Sequence, residues 1–390
     1  MTREIIRLWI VLVISLTLCS FRTQAFQSRS IRATKLRQKT VHIQVPIGIS
    51  ESLWRQRIPK DNPMSAAKVE LGRTLYFDKR LSIDGTVSCA TCHDPALAFT
   101  DSTFVAVGAG ARKGSRNSPT VLNAMFSESL FWDGRARSLE EQAKHPLMSP
   151  FEMGMTSKEE IMIRVSTVPE YRIKFRRVFK SESVDIDTIA KAIAAYERTL
   201  LSGNSPFDRF IVGNSAAITE AQLRGWKLFT GKAKCAECHT YSLSSPFFTD
   251  FKFHNTGIST TDILFEKLVR SATSLTTLAH SAGSSEHGRF AVTFNSTDVG
   301  AFKTPTLRDI ELTSPFMHDG SLKTLIDVVQ FYNRGGNANT HLDERMRPLH
   351  LTDVEVNDLV QFLRALTSDD VLKQCQTATP QNRNPVPIPK

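Results

Sequence analysis

Past Leu18, the 390-residue chain has no apolar run approaching the roughly 20 residues that span a bilayer. No later segment is therefore expected to span as a helix. Cysteine is scarce: of six, four sit in two paired motifs, Cys19 lies in the leader and Cys375 stands alone. This is no disulfide framework. Sustained apolar–polar alternation is also lacking, so an all-β sandwich or barrel is not expected and the class is mainly α. The charge is lopsided, with 49 Lys+Arg against 39 Asp+Glu. A basic cluster at Arg22, Arg29, Arg32, Lys35, Arg37 and Lys39 carries no run of interleaved aromatics. It reads as a solvated arm rather than a nucleic-acid site, although a basic surface favours an acidic partner.

Arg3 and Arg7 precede an apolar stretch from Leu8 to Leu18, and small residues follow up to Thr23-Gln24-Ala25. This order fits a secretory signal peptide over 1–25, which points to a periplasmic location. The stretch is short for a retained anchor, so no stable span is expected after processing.

What the sequence does contain is Cys89-Ala-Thr-Cys92-His93 and Cys235-Ala-Glu-Cys238-His239. In CxxCH, two thiols add across the vinyl groups of a haem and the next histidine ligates its iron. Two such motifs predict two covalent haems c. The unit that follows is duplicated. One offset of 186 residues separates Pro119-Thr120 from Pro305-Thr306, Asp133-Gly134 from Asp319-Gly320, and Leu139 from Leu325. The same offset sets Tyr332 against Pro146, so the second haem could carry a phenolate ligand where the first cannot.

Helical spacing over Ile186 to Leu201 ends at Gly203 and Pro206, which suggests a domain boundary there. A capping box, Thr352-Asp-Val-Glu355, opens a helix whose apolar face is Leu359, Phe362, Leu363 and Leu366. Residues 256–286 are Ser/Thr-rich and read as an insertion. The expected organisation is a signal peptide over 1–25, an N-terminal arm over 26–62, haem domains over 63–205 and 206–366, and a polar tail over 367–390.

Several further stretches carry a resemblance. They are Leu71-Gly72 with Leu75-Tyr76-Phe77-Asp78, Arg116-Asn117-Ser118-Pro119-Thr120, Phe131-Trp132-Asp133-Gly134-Arg135-Ala136, Gln142-Ala143-Lys144 and Phe151-Glu152-Met153-Gly154. Gly288-Arg289-Phe290-Ala291-Val292 and Thr306-Leu307-Arg308-Asp309 continue the series. From about Leu71 to Leu366 the chain resembles the bacterial di-haem cytochrome c peroxidases and their MauG-type relatives. The resemblance implies two cytochrome c-like helical domains facing each other across a calcium ion held by Asn117, Thr313 and Pro315. It implies a peroxidatic haem 1 at His93 and an electron-transfer haem 2 at His239. Trp132 would be the relay between them, Glu152 the distal acid, and Gln142 and Pro146 further distal positions.

Two departures stand out. Ala109 occupies the place where many members carry a capping histidine, and no His lies between His93 and His145. Tyr332 replaces an axial methionine, as in the MauG-type subgroup, while Met317 and His318 remain chemical alternatives. The implied activity is reduction of hydrogen peroxide with electrons from a small periplasmic cytochrome c or copper protein. Two alternatives follow. One is a MauG-type enzyme whose bis-ferryl state oxidises Trp or Tyr of a protein substrate. The other is a non-enzymatic di-haem electron carrier.

Overall fold

The computed structural model describes residue 41 and residues 43–181, 183–259 and 284–377. The expected signal peptide, the basic cluster and most of the 256–286 insertion lie outside these residues. The longer helices are α1 (Ala66–Tyr76), α2 (Lys158–Ser166), α3 (Pro169–Phe179), α4 (Ile186–Glu197), α5 (Glu220–Thr230), α6 (Leu325–Asn333), α7 (Asp353–Arg364) and α8 (Asp369–Thr377). The strands among the described residues are two short ones, β1 (Phe253–His254) and β2 (Phe302–Lys303), paired antiparallel.

Local chemistry accounts for the helix starts. Ser65 caps α1, and Asp185 with Thr188, Thr219 with Gln222 and Thr352 with Glu355 form reciprocal capping boxes on α4, α5 and α7. Each box satisfies two backbone groups that the first turn would otherwise orphan. The apolar face expected after Thr352 is buried: Leu359, Phe362, Leu363 and Leu366 are all under 9% exposed.

Each half is built on one tight helix crossing. A Cβ on Gly72 of α1 would sit 1.8 Å from the Ala192 carbonyl of α4, and one on Gly225 of α5 would sit 2.0 Å from the Asp358 carbonyl of α7. Only glycine lets the backbones approach this closely. Around the first crossing, Val69, Leu75, Ile189 and Ile193 form a core that reaches Cys89. Around the second, Phe207, Phe229, Phe248 and Phe362 form a core that reaches Cys235. The chain moves between the cores just after α4: Leu200 packs on the first and Phe207 lies in the second.

Two expected segments differ. The polar tail expected from 367 is instead folded as far as Thr377, because Val371 and Cys375, one turn apart, give α8 an apolar face against the first core. Gln374 of α8 donates to the Pro95 carbonyl. The described part of the expected N-terminal arm is also packed. Trp54 is buried, and its indole N–H donates to the Arg198 carbonyl at 3.0 Å.

The repeat seen in the sequence is a repeat in space. Bridges join Leu130 to Ala136 and Phe316 to Leu322, one offset apart. Asn123 and Asp309 share a left-handed backbone, as do Phe131 and Met317, and Gly134 and Gly320. Thr120 and Thr306 each turn a hydroxyl onto a backbone carbonyl, of Ala98 and Phe247.

Candidate redox site

Both Cys-His motifs fold as a single tight turn. The His93 and His239 amides bond back to the carbonyls of Cys89 and Cys235 at 3.0 and 2.9 Å. Each imidazole points its Nδ1 at a carbonyl, Phe99 for His93 (3.3 Å) and Phe248 for His239 (2.9 Å). A carbonyl only accepts, so Nδ1 carries the proton and Nε2 keeps its lone pair for a metal. Burial holds both rings below the usual histidine range, in the neutral form that ligates. The four thiols are free of disulfides, and burial pushes Cys92 and Cys235 up to about 12. Cys92 and Cys235 are therefore un-ionised at neutral pH, in the form that adds to a vinyl group. The donor set and the aromatic walls fit haem at both motifs.

The second motif opens on a large cavity lined by Cys235, Cys238, His239, Met317, His318 and Tyr332, among others. Tyr332 comes from α6, and burial beside Cys238 and Cys235 drives its phenol well above the usual range. His318 and Met317 face the same cavity, but the His318 ring is stacked on Phe302 at 3.6 Å and its Nε2 lies 3.3 Å from the Ser259 hydroxyl. Tyr332 is thus left as the uncommitted hard donor among the three.

The first motif meets a different wall. Ala109 is 2% exposed, and its amide donates to the Glu152 carbonyl at 2.7 Å. The Glu152 turn is set by further bonds from its own amide to the Ser149 carbonyl and from Met153 to Pro146. Ala109 and Met153, the neighbours of Glu152 in this turn, belong to the core that reaches Cys89. Burial lifts its pKa, partly opposed by the Arg135 charge and a hydrogen bond from Ser149. Gln142, half-buried, ends a short helix capped by Ser138.

Asn117, Trp132, Thr313 and Pro315 line the same cavity as the second motif. The Trp132 indole donates to the Asn117 carbonyl at 2.9 Å. The Thr313 hydroxyl is engaged with Ile310, which leaves backbone oxygens as the donors that this segment could offer a hard cation.

One cluster had no sequence signal. His254 is held between Asp250 (2.9 Å) and Asp343 (2.7 Å), and Asp343 is clamped by Arg345. Against the opposing effect of burial, Asp250, then Cys238 and Asp343, lift the His254 imidazole to about 10. Cys238, Asp250 and His254 are close enough to hold a metal ion. However, both His254 nitrogens are already bonded, so the cluster is an ion-pair network. Asp343 lies 89 residues from His254, beyond any local motif.

Comparison with known proteins places this geometry. Residues 66–216 match the family described as "Di-haem cytochrome c peroxidase". The chain is 37% identical over 343 residues to cytochrome-c peroxidase IdrP1 of Pseudomonas sp. (strain SCT), covering 85% of this chain and 89% of the relative. It is 40% identical over 312 residues to methylamine utilization protein MauG of Methylorubrum extorquens, covering 80% and 81%. Its fold is similar to the crystal structure of a MauG-like protein associated with microbial copper homeostasis. The TM-score is 0.71 at 33% identity, over 84% of this chain and 96% of that one. Among the described residues no helix is long and apolar enough to cross a membrane.

Proposed function

The chain belongs to the di-haem cytochrome c peroxidase family and is an oxidoreductase of that kind, and from that premise we propose a periplasmic enzyme that reduces hydrogen peroxide to water. Two haems c would be held as cytochrome c-like centres, haem 1 by Cys89, Cys92 and His93, and haem 2 by Cys235, Cys238 and His239. When bound, the haems would supply a binding place for peroxide and pass on the two electrons that cleave it (H2O2 + 2 H+ + 2 e− → 2 H2O). Electrons come from a small exported cytochrome or copper protein. Asn117, with backbone oxygens of Thr313 and Pro315, would hold a calcium ion between the halves.

The observation that carries this reading is the difference in the side chains that the two halves offer: an alanine on one side and a tyrosine on the other. Ala109 is packed away under Glu152, so no side chain there can ligate haem 1, whereas Tyr332 shares a buried cavity with His239. An open site binds peroxide and a closed one carries electrons. Glu152 then does the proton work. Its carboxylate takes the proton from the inner peroxide oxygen and returns it to the outer oxygen, which leaves as water. A raised pKa suits this role, since the group must both accept and release a proton near neutral pH. Gln142 would be a further polar group of that distal site. Trp132, bonded at Nε1 to Asn117, keeps its indole proton while relaying electrons between the haems.

A second reading shares the asymmetry. By resemblance Tyr332 is the MauG-type ligand, and together with Ala109 it favours withdrawal of electrons from Trp or Tyr side chains of a partner protein. One experiment separates the readings. The resting ferric holoprotein is examined by absorption and EPR spectroscopy, then given peroxide with and without a reduced small cytochrome. One high-spin five-coordinate haem and catalytic peroxide loss that requires the donor support the proposal. A peroxide-oxidised form that persists against the donor yet is discharged by a partner's aromatic side chains supports the second. Two low-spin haems inert to peroxide sink both and leave an electron carrier.

A further inference from the structure

The duplication extends to residues that share no identity. The 186-residue offset sets Arg116 against Phe302, Asn117 against Lys303 and Trp132 against His318. In the fold these pairs meet. The Asn117 amide donates to the His318 carbonyl at 2.8 Å, and the Lys303 amide donates to the Trp132 carbonyl at 2.8 Å. Each bond is the counterpart of the other, as at a two-fold interface. The self-matched pairs lie on the axis: the Arg116 guanidinium is 4.6 Å from the Phe302 ring centroid, and Trp132 meets His318 edge-on at 6.4 Å and 68°. The relay tryptophan therefore has a structural twin, and the twin is a histidine.

We propose that His318 is the positioning residue for Trp132 at the centre of the bridge between the two haem sites. This rests on the reading of Trp132 as the relay. The His318 ring is fixed on three sides. It stacks on Phe302 at 3.6 Å with only 12° between planes, and its Nε2 lies 3.3 Å from the Ser259 hydroxyl and 3.4 Å from the Glu286 carboxylate. It is 3% exposed. Trp132 is less constrained, being half-buried on the cavity wall with a single side-chain hydrogen bond. The rigid edge of His318 sets the indole plane. The Asn117 residue joins both partners, accepting from the indole on its carbonyl and donating to His318 from its amide. Imidazole is much harder to oxidise than indole, so the electron passes through Trp132 and His318 carries none. One electron moves from the haem 2 site to the haem 1 site. No bond forms or breaks, and the indole proton stays in place because a carbonyl cannot take it.

The test uses the loaded holoprotein, half-reduced by a fast photochemical pulse, and reads the rate of electron transfer between haems. Absorption spectra of both haems report that ligation is intact. His318→Ala is expected to slow the transfer by about tenfold or more, since small misplacements of a relay are costly. Phe302→Leu, which leaves His318 in place but removes its stacking partner, should slow it in the same direction. His318→Phe, which preserves the stack, should return most of the rate. If His318→Ala and Phe302→Leu both stay within about twofold of wild type while Trp132→Phe is slow, His318 does not position the relay. If Trp132→Phe is as fast as wild type, the relay reading itself fails and takes this one with it. Should His318→Ala not fold, Phe302→Leu and His318→Phe still decide.

Discussion

Glu197 offers a test of the first core that can be worked in numbers. It lies on α4, is 5% exposed and has a carboxylate oxygen with no hydrogen-bond partner among the described residues. Burial raises its pKa from 4.5 to about 8. The Arg198 charge opposes this, but Arg198 is spent on a buried ion pair with Glu140, and Glu140 itself pushes Glu197 further up. The folded protein thus keeps this proton to a higher pH than the unfolded chain does. The stability it confers is complete below pH 4.5 and is lost as pH rises through 8. Between those limits the unfolded chain has released one proton that the folded form retains, so stability falls by about 1.4 kcal/mol per pH unit. From pH 5 to pH 7 that amounts to about 3 kcal/mol. Glu197→Gln mimics the protonated acid in shape and cannot ionise. It should match wild type near pH 4.5 and be the more stable protein by about 3 kcal/mol at pH 7. Urea unfolding of the holoprotein at both pH values, comparing midpoints, measures this. A difference between the two proteins that does not change with pH, or a variant less stable at pH 7, would refute the argument.

Four other outcomes follow from the same geometry. Glu152→Gln should lower the rate of peroxide turnover by about 10²- to 10⁴-fold, the usual worth of a positioned acid–base group. In wild type the acid limb of the rate should lie above the ordinary carboxylate range, because ionised Glu152 is needed and burial raises its pKa; Glu152→Asp should retain such a limb. Tyr332→Phe should change the ferric spectrum of haem 2 alone, and an unaltered haem 2 spectrum would remove Tyr332 as its ligand. Gly72→Ala should cost at least about 1–3 kcal/mol by thermal melting, since the added Cβ meets the Ala192 carbonyl at 1.8 Å and the helices must part. Chelation of calcium from the holoprotein should slow electron transfer between haems and reverse on adding calcium back; indifference to chelator argues against a site at Asn117, Thr313 and Pro315.

Much of this protein is written locally. CxxCH is a single turn, so its cysteines and histidine meet wherever the chain goes, and the sequence alone locates both motifs. The capping boxes at Asp185, Thr219 and Thr352 depend on contacts three residues apart, which is why helix starts are legible. The duplication could also be read, because Pro-Thr, Asp-Gly and Leu recur at one spacing. The tail was misjudged because only two apolar side chains, Val371 and Cys375, anchor α8, and their partner surface lies in the other half of the chain. His254 was missed for the same reason, since its partner Asp343 is far away in sequence. What tertiary structure alone decided is how the two copies face each other. Reciprocal bonds between Asn117 and His318 and between Lys303 and Trp132 join residues of unlike type from opposite halves. No local pattern encodes such contacts; they arise when two equal units pack about an axis, and they fix which side chains meet there.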